Sequence, residues 1–218
     1  MLEGAVVRPR VVNKGEDIIR EGDRPTESIL LLEGFAARYN LLRKGKRQIT
    51  ALHIPGDFVD LHSFLVKKMD HAVLAITPCT VGGVPHEILY KISENYPHLT
   101  RLLGVNLAVD AAIHRHWIVS LGRRSALEHA AHLLCEMFLR LRAVGLTKDD
   151  SFKLPLTQAE LGDSLGLSTV HVNRVVQELR AKGLITWRGE TLVIDDWERL
   201  QELAEFDPTF LSLEVEPR

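Results

Sequence analysis

Apolar residues change their rhythm along this chain, and each rhythm predicts a different kind of element. Up to about Pro85 they form short β-rich segments, such as Ser28 to Leu32 and Gln48 to His53, punctuated by Gly22, Gly34, Gly45 and Gly56 at intervals of 12, 11 and 11 residues. Turns this close and this regular predict hairpins of short strands that close into a compact antiparallel roll or sandwich. Ile54-Pro-Gly-Asp-Phe58 adds a turn, and Val73 to Ile76 and Thr80 to Val84 supply later strands. From His98 to about Ser120 the period becomes helical: Leu99, Leu102, Asn106, Val109, Ile113 and Trp117 recur at threes and fours, with Leu103 beside them. That stripe predicts a coiled-coil seam, in which Asn106 pairs with its symmetry mate to fix register; a helix lying on its own roll shows the same stripe. Gly122 is expected to break this helix, and Ser125-Ala-Leu-Glu128 to cap the next, which runs to about Ala143.

Residues 157 to 192 carry the densest set of signals. Thr157 and Glu160 have the spacing of a capping box, Leu161 and Leu165 give the short helix an apolar face, and Gly166 ends it. Gly162 lies where a second helix must cross closely. Ser168 caps that helix, whose inward stripe is Val172, Val175, Val176 and Leu179 at i, i+3, i+4, i+7. Thr169, Val170, His171, Asn173, Arg174 and Gln177 are left facing outward in its first turns. Gly183 closes it, and Ile185 to Val193 alternates around Arg188-Gly189-Glu190 as a two-stranded ribbon. Helix, tight turn, helix and wing together form a winged helix-turn-helix, a device for setting one helix in the major groove of double-stranded DNA. Base contact then falls to Thr169, Val170, Asn173 and Arg174. Phosphate contact falls to Thr157, Gln158, Ser168, His171 and Arg188, with Arg123 or Arg124 as helpers. The plain alternative is a helical hairpin serving as scaffold or pairing with another protein.

Composition narrows the picture. The 218 residues suit two ordinary domains, and 45% hydrophobic content is enough for two cores. A net charge of −2 excludes a protein that coats nucleic acid indiscriminately, so DNA contact must come from a local patch. Arg115, Arg123, Arg124, Arg140, Arg142 and Lys148, against Glu128 and Glu136, are candidates for it. The two cysteines, Cys79 and Cys135, lie far apart in apolar surroundings and read as buried thiols of a reducing compartment. The start, MLEGAVVRPR, lacks the apolar core of a signal peptide, and no run approaches a membrane span. A cytoplasmic protein with no membrane partner is expected.

Roll, long helix, hinge and winged helix-turn-helix, in that order over nearly the whole chain, resemble the Crp/Fnr family of bacterial transcription regulators. The resemblance rests on the four-glycine framework, the Gly56-Asp57-Phe58 turn, and the stretch Leu161 to Arg180 with Gly166, Ser168, Val172 and Arg174 in place. The chain begins nearer the roll than is usual in the family, so a leading helix is expected to be missing or truncated. The implied fold is α+β: an antiparallel β-roll of the double-stranded β-helix or jelly-roll type at 1–97, a dimerisation helix and hinge at 98–121, and the winged helix-turn-helix at 122–218. The implied function is sequence-specific DNA binding as a homodimer on a pseudo-palindromic operator, with contact to RNA polymerase. Arg174 matches the family arginine that reads a guanine or a neighbouring phosphate. Cyclic-AMP-responsive members carry Arg and Glu where Thr169 and Val170 stand here, so the operator is expected to differ.

The sensing half departs further. The stations that hold ribose and cyclic phosphate in cyclic-nucleotide members read Asp60-Leu61 and about Asp70-His71-Ala72, and His114-Arg115 stand where a Thr-Ser pair meets adenine. Leu61 cannot bind a 2′-hydroxyl and Asp70 repels a phosphate, which argues against cyclic AMP. Two cysteines cannot ligate an iron–sulfur cluster. Haem, through His53, His62 or His71, and other small-molecule effectors stay open, while no cofactor or metal set is evident. The pair His114 and His116 points to different faces of a helix, and Glu128 with His132 lacks further ligands. The alternative function is a cupin-like metal-dependent enzyme built on the roll, but no His-x-His lies on a strand and no nucleophile or phosphate-loop motif is present.

Overall fold

The computed structural model describes residues 7–213, and the expectation about the start of the chain falls on residues outside that range. Residues Met1–Ala111 and Ala112–Arg218 form two compact units. The first holds strands β1 (Val7–Val12), β2 (Asp17–Ile19), β3 (Glu27–Glu33), β4 (Ala36–Leu41) and β5 (Arg47–His53), a 3₁₀ turn at Leu61–Phe64, then β6 (Ala72–Ala75), β7 (Cys79–Pro85) and helix α1 (His86–Asn95). The strands form two antiparallel sheets, ordered β1-β7-β3 and β2-β6-β4-β5. Residues from both sheets meet in one core that includes Ile29, Leu31 and Val81 from the first and Ile19, Val73 and Ala75 from the second. Each such valine, leucine or isoleucine, fully withdrawn from water, contributes about 1.5–3 kcal/mol. The four framework glycines all have positive φ, from 78° at Gly45 to 97° at Gly56. At Gly34 space is also closed, because a Cβ there would lie 2.5 Å from the Pro78 carbonyl oxygen.

Helix α2 (Pro97–Arg123) begins in the first unit and continues into the second. It runs through Gly122 without a break and stops at Arg124, immediately before the Ser125 cap. The division into units falls at Ala111/Ala112, inside this helix.

The second unit continues with α3 (Ala126–Ala143), β8 (Thr147–Lys148), β9 (Ser151–Lys153), α4 (Gln158–Leu165), α5 (Thr169–Ala181), β10 (Ile185–Arg188), β11 (Thr191–Ile194) and α6 (Trp197–Leu203). Ser125 and Glu128 close a full capping box on α3: Glu128 N donates to Ser125 Oγ at 3.3 Å and Ser125 N to Glu128 Oε2 at 2.7 Å. Nearly every residue from His129 to Leu139 is buried, so α3 is the axis of the core. Glu136 lies in that core, accepting from Trp117 Nε1 and Arg140 Nη1, each at 2.8 Å. A carboxylate persists there only because both oxygens are engaged by donors, one of them charged. The wing is wider than the expected ribbon, since β8 and β9 extend it to a four-stranded sheet ordered β10-β11-β9-β8. Helix α6 packs on α3, with the Trp197 and Phe138 rings 5.3 Å apart.

The structure corrects part of the seam expected on α2. Leu103 is buried against Leu61, Val84, Leu89 and Ile92 in the first unit, Leu99 packs on the same cluster, and Trp117 is bonded to Glu136. Ile113 is buried as well. Leu103, Ile113 and Trp117 are thus covered by the chain itself, while Leu99 is half-buried. Leu102 and Asn106 are exposed and Val109 half-buried.

Candidate functional site

The reader is assembled from local chemistry. Thr157 N donates to Glu160 Oε2 at 2.7 Å and Glu160 N to Thr157 Oγ1 at 3.2 Å, which starts α4. Gly166 ends it in the left-handed region at φ 69°. A Cβ on Gly162 would sit 2.6 Å from the Leu167 carbonyl oxygen and 3.5 Å from Val172 Cγ2, so the glycine lets the turn, as well as α5, approach α4. Ser168 Oγ accepts from His171 N at 3.3 Å and caps α5. Val172, Val175 and Leu179 are buried, with Val176 half-buried, as the inward stripe requires.

Thr169, Val170, His171, Asn173, Arg174 and Gln177 are all exposed on α5, and Val170 keeps 64% of its surface. Asn173 Nδ2 donates to Gln158 Oε1 at 3.5 Å, which brings a residue expected to read bases beside one expected to hold phosphate. Arg188 is exposed at the end of β10, where Gly189 (φ 58°) takes the first central position of the two-residue loop, the preference of type II′ hairpins. Arg180 donates to the Trp187 carbonyl and ties α5 to the wing.

Two expectations about this surface change. The Thr157 hydroxyl also donates to Glu160 Oε2, at 2.8 Å, so its proton is committed to the cap rather than to a phosphate. The basic run is dispersed into structure. Arg124 donates to Ser120 Oγ and the Ala204 carbonyl, Arg140 pairs with Glu136, and Arg142 lies over the Phe138 ring at 5.2 Å. Arg123 is exposed and keeps its expected role open; Arg124 does not.

The interior of the roll is polar around Arg38. Where β4 pairs with β5, a register shift falls between Arg38 and Tyr39, and such an irregularity re-aims a side chain. Arg38 is buried, with Nη1 3.1 Å from Asp110 Oδ2 on α2 and Nη2 donating to the Val59 carbonyl at 3.1 Å. Asp60 accepts from Ile29 N at 2.6 Å, and burial raises its pKa to about 6 against that bond. Burial also lowers His53, and it lowers His71 to about 4 with help from the Arg38 charge. Leu61, at the ribose station of the resemblance, is part of the apolar cluster with Leu89 and Leu103.

Of the metal pairs weighed from sequence, Glu128 is used by the α3 cap and His116 stacks on Phe210 with ring centres 3.9 Å apart. A different group comes together in the roll: His62, Asp70 and His71, with His71 Nδ1 2.8 Å from Asp70 Oδ1 and the two imidazole centres 5.2 Å apart. The adjacency of Asp70 and His71 was visible in the chain, but the approach of His62 depends on where the fold places the 3₁₀ turn, which packs on β3 and α1.

Comparison with known proteins agrees with this architecture. Residues 9–96 match the model of the cyclic nucleotide-binding domain, and residues 128–203 that of the Crp-like helix-turn-helix domain. Transcriptional activator protein FnrL of Cereibacter sphaeroides is 32% identical over 205 residues, covering 91% of this chain and 81% of the relative. Transcriptional activator protein anr of Pseudomonas aeruginosa is 29% identical over 203 residues, covering 93% and 83%. Among solved structures, FixK2 from Bradyrhizobium japonicum superposes with a TM-score of 0.82 at 28% identity, over 90% of this chain and 96% of that one. These relatives are regulators rather than enzymes, which removes support for the cupin-like alternative. No helix among the described residues is long and apolar enough to cross a membrane. With a nucleotide-domain roll, a Crp-like reader and relatives matched along nearly its whole length, the chain belongs to the Crp/Fnr family of transcription regulators.

Proposed function

We propose that this regulator acts in the cytoplasm as a homodimer on a pseudo-palindromic operator in double-stranded DNA, contacts RNA polymerase there, and answers to an effector other than cyclic AMP. The observation that carries the reading is the exposed fan Thr169, Val170, His171, Asn173 and Arg174 on the first two turns of α5, held by a capped, glycine-jointed pair of helices. Short polar groups and a guanidinium in that position hydrogen-bond base edges, and Val170 suits a thymine methyl. Two copies are needed because a single reading head of this size seldom binds tightly alone.

A dimer contact is supported on a different face of α2 from the expected seam. Gly104, Ala108, Ala111, Arg115, Ile118 and Gly122 follow one another at spacings of four and three and are all exposed. That is the a/d rhythm of a coiled coil, with small residues that let two helices approach closely. The roll departs from cyclic-nucleotide chemistry at two points: Leu61 is core, and the exposed Asp70 carboxylate would repel a cyclic phosphate.

The test is selection of bound sequences from random DNA by the intact protein, followed by titration of the selected operator. Arg174→Ala is expected to weaken operator binding by about 1–3 kcal/mol per half-site while leaving the fold unchanged, since the side chain is exposed. Millimolar cyclic AMP is expected to leave affinity unaltered. Undiminished operator binding by Arg174→Ala, or clear tightening by cyclic AMP, contradicts the reading.

A further inference from the structure

We propose that His62, Asp70 and His71 form a site for a divalent first-row transition metal in the amino-terminal roll. His62 comes from the 3₁₀ turn at Leu61–Phe64, and Asp70 and His71 from the segment entering β6. Each offers one ligand atom, and the three atoms lie within 4.8 Å of one another. Tetrahedral zinc with nitrogen and oxygen ligands at about 2.0–2.2 Å places those ligands roughly 3.3 Å apart. The remaining adjustment falls mainly on Asp70, whose side chain is 88% exposed.

His71 is the fixed member of the set. The strand that follows it pairs with β4 through Ala72 and Tyr39, and the ring is buried. Its Nδ1 bonds Asp70 at 2.8 Å, while its Nε2 is buried with no hydrogen-bond partner. A metal held among the three takes the ring through Nδ1, the nitrogen that faces Asp70, with the carboxylate ligating beside it.

The donor set selects the ion. Two imidazoles and one carboxylate suit zinc, cobalt(II) or iron(II), whereas magnesium and calcium favour all-oxygen sites. Three protein ligands leave a position for water or a small signal molecule. The site also has an approach from solvent: an open pocket of about 680 Å³, lined by Glu21, Gly22, Lys68, Met69 and Asp70, reaches the carboxylate.

Cobalt(II) is the probe, because its visible absorption reports ligand number and geometry. Full-length protein stripped with chelator and titrated with cobalt(II) is expected to take up one ion per chain and to release it to zinc. His62→Gln and Asp70→Asn are each expected to weaken cobalt affinity about tenfold or more. Asp70 is exposed and His62 only half-buried, so both variants should fold; His71→Gln, at a buried position, is the secondary variant. His98→Gln, on the exposed first turn of α2, controls for adventitious histidine binding and is expected to change nothing. Uptake below stoichiometry, or uptake with unchanged affinity in either His62→Gln or Asp70→Asn, overturns the site. The measurement needs no DNA, so its failure would leave the reading of α5 untouched.

Discussion

Gly162 shows how far one missing methyl group decides the reader. An added Cβ meets a backbone oxygen, the Leu167 carbonyl at 2.6 Å, and backbone cannot rotate away as a flexible side chain can. The Leu167 N–H donates to the Gly162 carbonyl at 2.9 Å, so the same displacement also strains the bond that closes the turn. Gly162→Ala is therefore expected to destabilise the second unit by about 1–3 kcal/mol, the usual cost of overpacking a tight contact. It should also weaken operator binding, because α5 is pushed off the angle set by α4. Urea unfolding followed by tryptophan fluorescence is the check, since Trp117, Trp187 and Trp197 all lie in that unit. An unfolding midpoint equal to that of the parent protein would show that the turn relaxes freely.

At the scale of elements, legibility followed the range of the signal. The reader was legible because its caps, its Gly166 stop and the Val172, Val175, Leu179 stripe act over a few residues. Helix α1 escaped notice because Leu89 and Ile92 are its fully buried residues, too few to mark a period. Strands β8 and β9 are two and three residues long; β9 exists through pairing with β11, a partner about 40 residues away, and β8 through pairing with β9, so they carry no pattern of their own. Helix α2 misled for a physical reason. Its most apolar stripe is satisfied by its own chain, through Leu103, Ile113 and Trp117. The smaller residues Gly104, Ala108 and Ala111 face solvent together with Ile118, which is 67% exposed. Ile118→Asp is thus expected to leave the fold intact and to weaken self-association by about 3 kcal/mol, from losing one buried isoleucine on each helix. That is roughly a hundredfold, and sedimentation should show a shift toward the 24.5 kDa chain. A dimer of unchanged strength would move the interface off this face.

For the whole molecule, titration acts differently on the two units, and the second gives the cleaner forecast. His129 and His132 on α3 are both buried, and burial, aided by the Arg124 charge, lowers them to about 4 and about 3. His132 sits among rings, with Phe206 4.9 Å and Phe210 5.8 Å away, where an imidazolium finds no compensating acceptor. In the unfolded chain both titrate near 6.5. Between that value and about 4 the unfolded state binds more protons, so stability is complete above pH 7 and is lost progressively as pH falls toward 4. In the first unit Asp60, raised to about 6, acts in the opposite sense to the lowered His53 and His71, because its folded state binds the extra proton. Tryptophan fluorescence isolates the second unit from that compensation. Its urea midpoint is expected to decline steadily from pH 7 to pH 5, a range in which ordinary carboxylates are still ionised. His132→Phe, set among Phe206 and Phe210, should flatten the slope by removing one of the two groups. A midpoint that stays level over those two pH units would mean that the imidazoles find proton acceptors or solvent in the folded protein, and that α3 is less tightly enclosed than its contacts with the aromatic rings imply.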